Sequence, residues 1–129
     1  MSSATLTFNL PRALIINANQ KEHWAVEAGK KRNLRCLGKI AATGQTISPE
    51  PVVLHIDIGW PDARRRDAEN LAGTVKALTD GAVDSGLISD DRDSVIKSRV
   101  WTGYVSGHWA GVPGITVITM RFEPIEVGT

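Results

Sequence analysis

The sequence has one cysteine, Cys36, among its 129 residues, and a lone thiol cannot close an internal disulfide. The expectation is a cytosolic protein in which Cys36 is a small core hydrophobe rather than a nucleophile. No apolar run approaches the ~20 residues that span a bilayer. The opening MSSATLTFNL has no basic leader followed by an apolar stretch, so neither a membrane anchor nor a secretory signal is expected. Histidine is scarce as well. His23, His55 and His108 stand far apart, without zinc-site spacing, so each is expected in local packing or hydrogen bonding. There is no internal repeat and no linker-like stretch. With 42% hydrophobic and 22% charged residues, the chain reads as one globular domain over residues 1–129, able to bury a single core.

The net charge of +1 conceals a segregation along the chain. Between Lys21 and Lys39 there are six basic residues and two acidic ones; between Asp80 and Asp93 there are five aspartates and one arginine. Such a division suits a protein that grips phosphate with one surface and holds a divalent cation with another, and equally suits two solvated faces.

The alternation in TLTFNL predicts a first strand stopped by Pro11. Asn19 and Glu22, three positions apart, form a capping-box pattern ahead of a first helix. That helix is clearest from Lys30, with Leu34, Leu37, Ile40 and Ala41 on one side and Lys31, Arg32, Arg35 and Lys39 on the other. VVLHIDIGW reads as a buried strand ending before Pro61. A second helix is expected over residues 68–85, with Gly86 just past its end and Leu71, Val75, Leu78 and Ala82 facing the core. Glu69, Gly73, Lys76 and Asp80 then fall within about 60° on its opposite face. A strand near residues 94–104, the Gly-rich SGHWAGVPG and a last strand ITVITMRFEP complete a βαβαββ order. The expected class is α+β, a mixed or antiparallel sheet with two helices packed on it.

Three groups of acids stand out: Asp67 with Glu69, Asp80 with Asp84, and Asp90 with Asp91 and Asp93. Closely placed carboxylates repel unless a cation lies between them, and Mg²⁺ accepts two or three carboxylates while keeping several waters. Such an ion activates water and neutralises phosphate in phosphodiester hydrolysis. Neighbouring cations hold the backbone. RRRDAEN, SDD and Lys76 supply each of these parts, although Asp67 alone is equally a helix N-cap.

The pattern RRRDAENL…VKALTDG…SGLISDD resembles the signature of the RusA-type Holliday junction resolvases, an endonuclease family common in phages and prophages. The likeness is close over residues 62–96 and looser outside them, in an early strand, an Asn-containing turn, a basic segment and a final strand. It implies that Asp67 and Glu69 are the first two essential acids, Asp91 the third, Asp90 its neighbour, and Lys76 the basic residue beside the site. Two features depart from the family. Glu69 stands where the family carries Asp, and seven residues rather than four separate the second acid from the lysine. The three extra residues return Lys76 to the same helix face, displaced by about 4.5 Å.

The implied activity is Mg²⁺-dependent (or Mn²⁺-dependent) nicking of four-way DNA junctions by a two-fold homodimer in the cytoplasm. Arg64, Arg65 and Arg66 would grip phosphates near the cut, and Lys31, Arg32, Arg35 and Lys39 a duplex arm. Trp109 is a candidate for stacking on an unpaired base. Two other readings stay open: a junction-binding protein with weak or no cleavage, and a small phage structural or interaction protein. One geometric condition follows. A helix over residues 68–85 is about 27 Å long and leads away from Asp67. Asp91 therefore needs SGLIS to run back along the helix, or an early helix end near Gly81, or a contribution from a partner subunit. Return within one chain is preferred, since six extended residues cover about 20 Å.

Overall fold

The structure, a computed structural model, describes residues 3–47, 50–105 and 114–125. It contains strands β1 (Ala4–Pro11), β2 (Val52–Trp60), β3 (Ile96–Val105) and β4 (Ile115–Pro124), and helices α1 (Trp24–Ala42) and α2 (Ala72–Ser85). Short 3₁₀ turns occupy Arg12–Leu14 and Ala68–Leu71. The expected α+β class and βαβαββ order are both present. The sheet is mixed, in the order β1-β4-β2-β3: β4 runs antiparallel to both neighbours, and β2 pairs parallel with β3. Parallel pairing needs a crossover, and α2 supplies it.

Alternation assigns the two sheet faces. Ala4, Leu6, Phe8 and Leu10 are buried while Thr5, Thr7 and Asn9 are exposed. The register aligns the buried set with Phe122, Met120 and Ile118, and these with Leu54, Ile56 and Ile58. Leu34 and Ala42 of α1 and Leu71, Val75, Leu78 and Ala82 before and along α2 join the same core, so both helices lie on one face. The residues expected to face the core from the second helix all do so.

The two helices meet at glycines. A Cβ on Gly38 would lie 2.2 Å from the Leu78 carbonyl oxygen, and one on Gly81 would lie 2.2 Å from that of Arg35. The missing side chains let the two backbones touch. That proximity brings the basic side of α1 against the polar side of α2. At its far end α2 stops at Gly86 (φ 86°), whose N–H donates to the Ala82 and Val83 carbonyls.

Several local expectations are corrected. The cap of α1 is His23, whose Nδ1 accepts from the Ala25 N–H at 3.1 Å. Asn19 instead lies in a turn with Asn17, and Glu22 pairs with Lys30 at 2.7 Å. Ile40 is 67% exposed and Cys36 is exposed, because Leu34, Gly38 and Ala42 set the buried stripe of α1 and turn both away from it. The first strand ends at Pro11 as expected, while β3 begins at Ile96 rather than near residue 94. His108 and Trp109 lie outside the described residues. Among the described residues no helix is long and apolar enough to cross a membrane.

Candidate functional site

Strand β2 ends at Trp60, and Pro61 turns the chain into the arginine segment. Asp62 organises that segment. It accepts from the Arg64 N–H at 3.0 Å and the Arg64 guanidinium at 3.1 Å, and its Oδ1 accepts from Arg66 Nη1 at 2.7 Å. These donors, Arg66 foremost, hold the Asp62 carboxyl far below the usual carboxylate range. The Arg66 guanidinium also lies 5.2 Å from the Trp60 ring centroid, a cation–π distance. Two of the three arginines are thus oriented before any ligand arrives. Arg65 is exposed and makes no ion pair among the described residues.

Asp67 follows in the N-cap position of the 3₁₀ turn, yet its side chain makes no capping hydrogen bond. Only its backbone carbonyl works there, accepting from the Asn70 N–H at 3.0 Å. The carboxylate is left exposed, and so is that of Glu69. Both line an open cavity of about 690 Å³ together with Arg64, Arg65, Arg66, Trp60 and Trp101.

Asp91 comes back to α2 within its own chain. The reversal at Gly86 is followed by buried Leu87 and Ile88, which anchor the return. Glu50 then accepts from the Ser89 N–H and hydroxyl at 2.6 and 2.7 Å. Asp90 Oδ1 accepts the Asp91 N–H at 2.7 Å, and Arg99 donates to the Asp91 carbonyl at 3.0 Å. The Asp91 carboxylate ends 2.5 Å from Lys76 Nζ, which also donates to Asp80 at 2.7 Å. Asp80 and Asp91 raise the Lys76 pKa above its ordinary value, and Lys76 lowers that of Asp91. Helix α2 runs on to Ser85, so the return of the SGLIS segment, rather than early termination, satisfies the geometric condition.

The acids therefore divide into two places. Asp67 and Glu69 share the arginine-lined cavity, while Asp91 joins Lys76 and Asp80 farther along α2. The polar row expected from Glu69 to Asp80 starts in a 3₁₀ turn over Ala68–Leu71 rather than in the α-helix. At three residues per turn, Glu69 is shifted by about 60° relative to Gly73, Lys76 and Asp80 from where a continuous α-helix would place it. Asp84 is taken by Arg35, at 2.5 and 2.8 Å, which lowers its pKa and raises that of Arg35. Asp80 and Asp84 are thus each paired with a cation and do not form a carboxylate pair for a metal. Among the described residues, no group of three His, Cys, Asp or Glu side chains is placed to share one ion. Asp67 and Glu69 still suit Mg²⁺ chemically, since that ion needs only one or two protein carboxylates when waters and a phosphate complete its shell.

The basic segment lies next to Lys76. Lys31, Arg32 and Arg35 line a groove of about 520 Å³ between the helices, with Lys76 and Asp80 on its other side. Lys39 is exposed one turn beyond Arg35. Sequence reasoning missed Asp62, Trp60 and Trp101. Asp62 was findable, because a Pro-Asp pair two residues before an arginine is an Asx-turn pattern. The tryptophans were not, since they converge only through the pairing of β2 with β3. The chain matches no known family model, and no curated protein matches it.

Proposed function

We propose that the protein is a Mg²⁺-dependent, structure-selective endodeoxyribonuclease that nicks four-way DNA junctions as a two-fold dimer, in the manner of the RusA-type resolvases. The observation that carries this reading is the shared cavity of Arg64, Arg65, Arg66, Asp67 and Glu69. Cations that bind phosphate and exposed carboxylates that bind a hard metal open onto one space. Asp67 and Glu69 would hold the ion, which when bound supplies an activated water and offsets phosphate charge. Arg64 and Arg66, fixed by Asp62, position the phosphodiester, and Arg65 neutralises its neighbour. The groove at Lys31, Arg32 and Arg35 takes the backbone of an adjoining arm, with Lys39 extending the basic face.

A second reading, junction binding without hydrolysis, is favoured by one observation. Asp91 is engaged by Lys76 rather than gathered with Asp67 and Glu69. An end-labelled synthetic four-way junction, incubated with Mg²⁺ and then with EDTA, separates the two. The expected result is paired nicks with Mg²⁺ and intact bound junction with EDTA. Binding without nicks in both conditions would leave only the second reading. Equal affinity for branched and linear DNA would remove both readings and favour a structural or interaction protein.

Arg65→Ala tests the phosphate role separately. Each phosphate contact contributes about 0.9 to the slope of log affinity against log salt concentration, so the variant is expected to flatten that slope by about one unit. Anisotropy titrations at several salt concentrations measure it. An unchanged slope would place Arg65 away from the DNA.

A further inference from the structure

The cavity that holds Asp67 and Glu69 has a second kind of wall. Trp60 closes β2 and Trp101 lies in β3, and the parallel register sets Trp101 beside Ile56 and Trp60 beside Val105. Both tryptophans point to the helix-bearing side of the sheet. Trp60 is 8% exposed, and its face is covered by the Arg66 guanidinium. Trp101 packs only partly against the core, and the rest of it faces the cavity. Between them on the same face is Gly103. A Cβ there would lie 3.1 Å from Trp60 Nε1 and 4.0 Å from the Ala68 Cβ. The glycine thus lets the Trp60 edge and the turn that carries Asp67 pack close against β3, with Trp101 two residues away on the same face.

The geometry points to a binding site for one unstacked nucleobase of branched DNA, next to the phosphate held by the arginines. This inference rests on the proposed junction nuclease and adds a nucleotide subsite to it. The depression is open to solvent, so a single base can enter it while its phosphate stays at the arginines. The chemistry is complementary throughout. Trp101 offers an aromatic surface for stacking, Trp60 Nε1 an N–H donor for a base-edge acceptor, and Arg64 and Arg65 the cations for the attached phosphate. Stacking tolerates any base, so the pocket selects for an unpaired nucleotide rather than a sequence. Extruding a base costs least where pairing is already disrupted, as at a crossover point. The subsite would therefore favour branched over linear DNA without base-specific contacts, and it would place the neighbouring phosphodiester beside Asp67 and Glu69.

The test is a double-mutant cycle between protein and DNA, run in EDTA with the full-length protein. Four-way junctions carry at the crossover either one unpaired nucleotide or an abasic residue in its place. Each is titrated against wild type, Trp101→Ala and Trp101→Phe. Loss of one base–aromatic stack is expected to weaken binding about tenfold. The abasic junction and Trp101→Ala should each show that loss, and together should lose no more than either alone. Trp101→Phe should bind nearly as wild type, since it keeps an aromatic face. The abasic arm needs no variant, so it decides the matter even if Trp101→Ala folds poorly. Wild-type protein binding both junctions equally, or independent multiplied losses, would overturn the base pocket while leaving the nuclease reading in place. Failure of wild type to prefer any junction over linear duplex would overturn both.

Discussion

Asp67→Asn is expected to lower Mg²⁺-supported nicking of a four-way junction by roughly a hundredfold or more, about 3 kcal/mol of barrier, without altering folding stability. The structure makes this substitution unusually clean. An N-cap aspartate ordinarily stabilises the turn it opens through its side chain, at about 1 kcal/mol. Here the side chain makes no such bond, and the turn is held by the Asp67 backbone carbonyl, which asparagine keeps. The carboxylate is exposed, so neither packing nor a buried ion pair is lost. A fall in rate with an unchanged melting curve and unchanged affinity in EDTA would assign the charge to chemistry. Asp91→Asn gives the contrasting case. It disrupts a partly exposed pair with Lys76, for which only a small stability effect is expected, and in the proposed nuclease it should also lower the rate. Wild-type nicking by both variants would remove the acids from the mechanism even if the junction activity itself were real.

The contrast shows which parts of the site were legible in the sequence. Strands β2 and β4 could be read to the residue because each is a continuous or alternating apolar run bounded by Pro or Gly. The core stripe of α2 followed from its helical period. The return of Asp91 was legible as a distance problem, and buried Leu87 and Ile88 with the Glu50–Ser89 hydrogen bonds explain its solution. The phase of Glu69 was not legible. Whether the first turn after Asp67 is α or 3₁₀ depends on what residues 68–71 pack against, and here Leu71 is fully buried while Ala68 approaches Gly103 of β3. Tertiary contact set the local geometry, and that geometry shifted the phase of Glu69 relative to Lys76. Ile40 and Cys36 were misplaced for a related reason. The apolar period of α1 marks Leu34, but the close approach to α2 makes Gly38, rather than a large side chain, the centre of its buried face.

That close approach carries the other large effect. Gly38→Ala and Gly81→Ala are each expected to destabilise the fold by about 3 kcal/mol, at the upper end of what overpacking costs. Each added Cβ would lie 2.2 Å from a backbone carbonyl oxygen on the opposite helix. A flexible side chain can yield to such a contact, but a hydrogen-bonded helical backbone cannot, so the helices must separate. Against a total stability of 5–15 kcal/mol typical of domains, that is a large fraction. The two positions share one contact, and separation forced by the first alanine relieves part of the second clash. The double variant should therefore lose less than the sum of the singles. Urea unfolding of the three variants measures this, and two single variants within about 0.5 kcal/mol of wild type would show that the crossing is looser than the contacts require. The same separation would widen the groove in which Lys31, Arg32 and Arg35 face Lys76. Junction affinity should then fall more steeply with salt in neither variant than in wild type, because cations spread farther apart neutralise fewer phosphates of one strand. The glycines thus couple the stability of the helix pair to the spacing of the basic surface.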